Sequence, residues 1–174
     1  MQLLTLGHGT ASQDELAALI RAAEIAQIVD VRTVPKSARH PQFRREAMEA
    51  WVPQGGGAAY AWEPELGGFR RPAEDSRNAG LRHPAFRGYA DYMQTETFRK
   101  AIQRMLEIAR AKKTAVMCSE SLWWRCHRRL VADYAVLVEN VAVEHLFHNG
   151  ALKPHVPTPE ARVIDRQLVY EHAA

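Results

Sequence analysis

The chain has 174 residues, of which 47% are hydrophobic and 25% charged, with a net charge of +3 and two cysteines. Such a chain is long and apolar enough to fold as one domain, predicted over residues 1–174, and is not intrinsically disordered. No segment approaches the roughly 20 consecutive apolar residues of a membrane span, and the first residues lack the features of a signal peptide. We therefore expect a cytoplasmic protein with free thiols and no membrane partner.

The predicted elements alternate between strands and helices. A capping box at residues 12–15 begins the first helix, and apolar spacing or capping residues indicate the others. In chain order, the sequence predicts strand 3–6, helix 12–23, strand 28–32, a helix that follows residues 41–43 and runs through 51, strand 58–62, helix 86–93, helix 95–109, strand 114–118, helix 123–139, strand 141–148 and helix 158–168. This alternation predicts an α/β fold, a three-layer domain with a mainly parallel sheet of about five strands flanked by helices.

The segment 63–85 contains prolines and glycines and has no convincing periodicity. Loops of this length are uncommon in compact domains and are often functional. We therefore interpret segment 63–85 as a candidate lid.

Polar residues follow three of the predicted strands. The first strand is followed by Gly7-His8-Gly9, the second ends in Asp30-Val31-Arg32, and the fourth leads into Cys118-Ser119-Glu120. The next helix begins around Cys126-His127-Arg128. Because ligands bind beyond the carboxyl ends of parallel strands, we expect these residues to share one site.

Four residues of this site are candidate catalytic groups: Cys118, Glu120, His127 and His8. A thiol at a strand end that faces a helix N-terminus and nearby Arg residues has a lowered pKa, so Cys118 is a candidate nucleophile. The alternative for Cys118 is a small apolar residue at the end of a core strand. Glu120 and His127 are candidate acid and base groups. Their alternatives are an acid that favours the helix dipole and a structural histidine.

The predicted substrate-binding residues are Arg32, Asp30, Arg128 and Cys126. Asp30 and Arg32 lie on the same face of the second strand, where a buried charged pair requires partners. They form either an ion-pair network or a site in which Arg32 reaches a substrate anion. Arg128 is a second candidate for binding an anion, and core packing is the alternative for Cys126.

Zinc is a further alternative, in which Cys118, Cys126 and His127 join His8 around the ion. Neither cysteine has the Cys-x₂₋₄-Cys spacing of structural zinc sites. We therefore predict no metal site and no cofactor.

Several motifs of this chain occur in the order found in a known family, and they are Gly7-His8, Asp30-Val31-Arg32, Pro35-Lys36-Ser37, Pro41-Gln42-Phe43, Glu65-Leu66-Gly67-Gly68, Tyr89-Ala90-Asp91-Tyr92-Met93, Cys118-Ser119-Glu120 and Cys126-His127-Arg128. Over residues 6–148 the chain resembles the family called domain of unknown function 488. The family has no established reaction, but the resemblance implies a single α/β domain that is bacterial or archaeal and cytoplasmic. It also supports the same eight site residues. The family often has Ser after Gly-His, where this chain has Gly9, which removes one hydroxyl.

A weaker resemblance links the Asp30-Val31-Arg32 strand and the strand ending in Cys118 to rhodanese-like sulfurtransferases and related phosphatases. Those proteins place a nucleophilic Cys in an anion-binding loop. Here the loop after Cys118 has no glycine, Glu120 would repel an anion, and Arg125 lies outside the phosphatase Cys-x₅-Arg spacing. The resemblance therefore implies a similar topology at most.

Three functions are compatible with the sequence. The first is an enzyme that acts on a small anionic or nucleotide-like substrate. The second is a non-catalytic nucleotide or nucleic-acid binding module, with Trp62, Trp123 or Trp124 stacking on a base. Five basic residues and no acid between Val31 and Arg45 are compatible with a phosphate ligand, although a solvated basic face explains them better. The third is a thiol redox or sulfur-transfer protein that uses Cys118 and Cys126.

Overall fold

The structure is a computed structural model that describes residues 1–172. Its central sheet has six strands: β1 (Gln2–Gly7), β2 (Gln27–Asp30), β3 (Ala59–Trp62), β4 (Thr114–Cys118), β5 (Ala142–Leu146) and β6 (Leu152–Pro154). Their order is β3-β2-β4-β1-β5-β6, and the first five are parallel, whereas β6 is antiparallel to β5. The five predicted strands are confirmed, and β6 is one strand more than expected.

Five α-helices cover the two faces of this sheet: α1 (Gln13–Ala22), α2 (Arg45–Trp51), α3 (Pro84–Met93), α4 (Glu96–Ala111) and α5 (Arg128–Leu137). Helices α1 and α2 pack with Leu4 and Leu6 in one apolar core. Helices α3, α4 and α5 pack with Leu3 and Val116 in a second core on the opposite face. The predicted three-layer α/β architecture is therefore confirmed. No helix within residues 1–172 has the length and apolar character to cross a bilayer.

Local capping explains where two of the helices begin. The backbone N–H of Glu15 donates to the hydroxyl of Ser12, and the N–H of Ser12 donates to the Glu15 carboxylate, as expected for a capping box. In the same way, Thr95 accepts a hydrogen bond from the N–H of Phe98 at the start of α4.

The predicted helix over 158–168 is wrong. This part of the chain forms the antiparallel hairpin of β7 (Ala161–Ile164) and β8 (Gln167–Tyr170). Asp165 and Arg166 both have positive φ and form the two-residue turn, which suits the twist of a hairpin. Thr158 caps no helix, because its hydroxyl donates to the carboxylate of Asp133.

The predicted helix over 123–139 begins later than expected. Trp123–Arg125 form one 3₁₀ turn, and Cys126 then adopts an extended conformation that interrupts the helical path. The α-helix starts only at Arg128. Cys126 therefore lies in the connection before α5 rather than on the apolar side of the helix.

Segment 63–85 contains one short 3₁₀ helix, Pro64–Leu66, and is otherwise irregular until α3 begins. Helix α3 holds the segment in place. The carboxylate of Asp91 accepts hydrogen bonds from Ala73, Ser76 and Asn78, and the hydroxyl of Tyr89 donates to the carbonyl of Leu66. A lid role for the segment stays a prediction.

Candidate functional site

A cleft of about 800 Å³ opens at the carboxyl ends of β1, β2 and β4. These three strands are neighbours, with Gly7 paired to Cys118 and Asp30 paired to Met117. The cleft volume lies within the range of about 300–1,000 Å³ found for small-molecule sites. Of the predicted site residues, six line it: His8, Arg32, Cys118, Glu120, Cys126 and His127.

On the α1–α2 side of the sheet, Asp30 and Arg32 form a buried ion pair. The Arg32 Nε donates to Asp30 Oδ1 at 2.9 Å, and its Nη2 donates to Oδ2 at 2.5 Å. The hydroxyl of Tyr60 also donates to Asp30 Oδ2, at 2.6 Å. Asp30 therefore binds Arg32 directly, and the Asp30 side chain is buried. The ion-pair network expected as an alternative is present, while Arg32 still lines the cleft.

His8 lies beside this ion pair. Its Nε2 is 3.3 Å from Nη1 of Arg32, and its ring stacks on Phe43 with 4.1 Å between the ring centroids. Burial, followed by the positive charge of Arg32, lowers the pKa of His8 to about 4. The imidazole is therefore neutral at physiological pH.

On the α3–α5 side, three side chains form a cluster of donor atoms. The sulfur atoms of Cys118 and Cys126 and a ring nitrogen of His127 all lie within 4.8 Å of one another. The Sγ of Cys126 is 3.7 Å from Nδ1 of His127. Both cysteines are free thiols with little exposed surface, yet both reach the wall of the cleft. We refer to these three residues as the thiol–imidazole cluster.

Arg128 supports this cluster from behind and is not among the described residues that line the cleft. Its side chain is only 1% exposed. Its Nε donates to Cys126 Sγ at 3.4 Å, and its Nη2 donates to the carbonyl oxygen of Glu120. The carboxylate of Glu120 accepts the N–H of Leu122 at 3.2 Å. Arg128 therefore orders the connection between β4 and α5.

The two thiols have different acidities. The neighbouring Cys118 thiol, aided by the Arg128 guanidinium, lowers the pKa of Cys126 to about 6. The neighbouring Cys126 thiol and burial raise the pKa of Cys118 to about 12. In the protein alone, the more acidic thiol is thus Cys126 and not Cys118, the predicted nucleophile.

The rim of the cleft is basic. Lys36, Arg39 and Arg125 line it, and within residues 1–172 none of them has a carboxylate at ion-pair distance. Glu120 is the single acid among the lining residues in that part of the chain. The field at the mouth of the cleft therefore favours anions.

The cleft also contains Phe69 and Ser121, two residues that the sequence did not indicate. Phe69 is 92% exposed and has a positive φ, which places a bare aromatic ring at the cleft. A Cβ atom at Gly9 would overlap the hydroxyl of Ser121, so Ser121 occupies the space that a side chain at position 9 would need. The feature that distinguishes Phe69 is its positive φ, and a backbone angle cannot be seen in a sequence.

The three tryptophans considered for base stacking lie elsewhere. Trp123 stacks on His145 at 4.0 Å, and Trp62 packs beneath the guanidinium of Arg45. Trp124 is partly exposed and is not among the described residues of the cleft wall. In the cleft itself, Phe69 is the exposed ring available to a planar ligand.

The fold and the candidate site define an α/β protein with a cleft at the carboxyl ends of its parallel strands. Residues 12–135 match the family model described as Domain of unknown function DUF488, so the chain belongs to that family. All predicted site residues except His8 lie inside the matched region. No curated protein and no solved structure matches the chain.

Proposed function

We propose that this protein is an enzyme that acts on a small anionic or nucleotide-like molecule bound in the strand-end cleft. One observation carries the proposal: thiol, imidazole and guanidinium groups meet in a cleft whose rim carries cations without acidic partners. Such convergence of a few polar groups in one concave site is typical of active sites.

The parts of the cleft have separate roles in this proposal. Lys36, Arg39 and Arg125 attract and bind the anionic part of the substrate, because their charges are not neutralised by nearby carboxylates. The thiol–imidazole cluster faces the part of the substrate that reacts. Phe69 covers a planar portion, such as a nucleobase.

Arg32 has a more limited role than a free anion-binding residue. Its Nε and Nη2 are bound to Asp30, so that only Nη1, which faces His8, remains for a ligand. We assign to Arg32 the task of keeping His8 neutral and pointing toward the cleft. In the structure Nδ1 lies 2.9 Å from the carbonyl oxygen of Gly9 and Nε2 faces Arg32 Nη1, so His8 exchanges a proton with a substrate only if one of these contacts is released.

The proposal is tested by incubating the purified protein with a size-filtered metabolite extract and following the composition by mass spectrometry. We expect at least one phosphorylated or carboxylated metabolite to be consumed. The double variant Lys36→Gln/Arg39→Gln should consume it at least about tenfold more slowly, since each lost charge-assisted hydrogen bond costs roughly 1.5–3 kcal/mol. Arg110→Gln, which removes an exposed Arg on α4 outside the cleft, is the matched control.

The results separate the three candidate functions. Metabolites that bind and are released unchanged after denaturation would indicate a binding module. Salt-dependent retention of RNA or DNA fragments would indicate a nucleic-acid partner. Consumption of a metabolite that requires nothing beyond an added thiol or disulfide would favour the redox function. If the unmodified protein consumes no metabolite, the enzyme proposal is contradicted.

A further inference from the structure

We propose that Cys118, Cys126 and a ring nitrogen of His127 bind a divalent metal ion of the zinc type, with one coordination position open to the cleft. The observation is that the three donor atoms lie within 4.8 Å of one another at the cleft wall. Metal binding stands on this geometry, and only its consequence for catalysis rests on the proposed function.

The spacing of the donors suits a tetrahedral ion. Zinc–sulfur bonds of about 2.3 Å and zinc–nitrogen bonds of about 2.0 Å place neighbouring ligand atoms roughly 3.6 Å apart. Cys126 Sγ and His127 Nδ1 are 3.7 Å apart. This pair is therefore already at the spacing of neighbouring zinc ligands, and the other donor distances do not exceed 4.8 Å.

The imidazole of His127 lacks a partner that its burial requires. Its Nε2 is buried and has no hydrogen-bond partner among the described residues. Buried polar atoms are nearly always hydrogen-bonded, and an exception needs an explanation such as an ion. Binding through Nε2 gives this atom the polar partner that the described residues do not supply, whereas binding through Nδ1 uses the 3.7 Å spacing to Cys126 Sγ and leaves Nε2 unpaired.

The electrostatics of the cluster favour the same ligand. Two thiolates balance the charge of a divalent cation, so the loaded site carries no net charge into a buried region. Arg128 donates from Nε to Cys126 Sγ, the kind of outer-sphere hydrogen bond that orients and stabilises a thiolate ligand. Soft sulfur and imidazole donors select zinc-type ions over magnesium or calcium.

The number of protein ligands determines the type of site. Structural zinc sites have four protein ligands, whereas catalytic sites have three and leave the fourth position to water or substrate. Here three donors line the cleft, so the fourth position is reached by the molecule bound there. The ion would polarise an oxygen atom of the proposed anionic substrate or of a bound water.

The experiment is a Co²⁺ titration of the full chain, after treatment with chelator and reductant, in the absence of oxygen. We expect one Co²⁺ per chain, with a thiolate-to-cobalt charge-transfer band and the strong visible d–d bands of tetrahedral cobalt. Equimolar Zn²⁺ should abolish both signals. Zn²⁺ should also raise the melting temperature, because an ion that binds only the folded state stabilises it.

Variants identify the ligands. Cys118→Ser and Cys126→Ser should each weaken the charge-transfer band and lower the affinity by more than the roughly 10–100-fold that loss of an outer-sphere partner costs. His127→Gln should keep the charge-transfer band and shift the d–d bands. His172→Gln, an exposed histidine away from the cleft, is the matched control and should bind like the unmodified protein. Circular dichroism of each metal-free variant verifies that it is folded.

Two results would overturn the inference. The first is a folded protein whose bound Co²⁺ shows no thiolate band, or shows the same band in the Cys118→Ser/Cys126→Ser double variant. The second is a reduced protein that binds no Co²⁺ and whose intact mass falls by two hydrogens when the reductant is removed under air. That result would identify the two cysteines as a dithiol pair. Because the titration contains no substrate, its failure leaves the metabolite assay informative, and a metal-loaded protein that consumes no metabolite contradicts only the proposed function.

Discussion

Gly7 lies at the end of β1, directly beneath the connection that links Cys118 to α5. A Cβ atom at this position would overlap the carbonyl oxygen of Glu120 and lie 2.7 Å from Nη2 of Arg128. The Arg128 side chain can pass over the strand end and reach Glu120 only because residue 7 has no side chain. Gly7 therefore permits the backbone path that brings the two cysteines together.

We expect Gly7→Ala to destabilise the protein by about 1–3 kcal/mol, the usual cost of an extra methyl group in a packed region. Urea denaturation measures this change in the free energy of unfolding. Gly55→Ala is the control, because its added Cβ would meet only Ala17, at an ordinary 3.7 Å. Equal stability of the two variants would show that the β4–α5 connection adapts freely.

At the scale of elements, the hairpin of β7 and β8 completes the core on the α3–α5 side. Leu168 and Tyr170 are buried there, and the hydroxyl of Tyr170 donates to Asp133 on α5 at 2.9 Å. The turn between the strands places Arg166 at φ 63°, in the left-handed region that costs a residue with a side chain roughly 1–2 kcal/mol.

Replacing Arg166 with Gly should therefore stabilise the protein by about 0.5–1 kcal/mol, since Asp-Gly is a preferred sequence for this type of turn. Thermal or urea denaturation detects the gain. Arg166→Ala removes the same charge but keeps the Cβ atom, so it should not stabilise. If both variants gain equally, the charge of Arg166 and not its backbone conformation is responsible.

The connection before α5 shows why a correct element can still misplace a residue. Apolar spacing indicates a helix from Trp123 onward, and the helix does exist, but it begins only at Arg128. The extended backbone of Cys126 directs its sulfur toward Cys118. A pattern of side chains does not encode this break, which depends on contacts with Arg128 and the strand end.

At the scale of the whole molecule, one buried chain of hydrogen bonds joins helix, loop and sheet. It runs from Asp133 to His155 at 2.9 Å, from His155 to His145 at 2.9 Å, and from His145 to Thr5 on β1 at 2.7 Å. Asp133 also accepts hydrogen bonds from Thr158 and Tyr170. These hydrogen bonds connect α5 and the C-terminal hairpin to the central sheet.

This buried series of hydrogen bonds predicts that the protein loses stability in acid. Burial, then the nearby His155 and Arg128, lowers the pKa of His145 from 6.5 to about 3. Between these values the unfolded state binds a proton that the folded state does not, so stability falls as the pH drops below 6.5, by up to about 1.4 kcal/mol per pH unit for this group. Urea denaturation at pH 7, 6 and 5 measures the slope.

His145→Gln should reduce this slope while lowering stability at pH 7, because it removes the titrating ring together with its hydrogen bonds. His8, whose pKa is also lowered, leaves a residual slope in the same direction. The exposed His172 has no buried environment, so His172→Gln should leave the slope as it is. An unchanged slope in His145→Gln would assign the acid sensitivity to other groups.

The sequence by itself determined the α/β class, the five parallel strands and the family, because apolar periodicity, the capping box and short motifs each depend on residues close together in the chain. It also identified the residues that follow the strand ends. Only the tertiary structure decided how these residues are arranged and which partners they contact. In the folded protein Arg32 is paired with Asp30, and the buried Arg128 donates to Cys126. Phe69 lies at the cleft, and residues 161–170 form a hairpin. These outcomes depend on contacts between distant segments and on backbone conformations such as positive φ, and neither is visible in the spacing of residues along a chain.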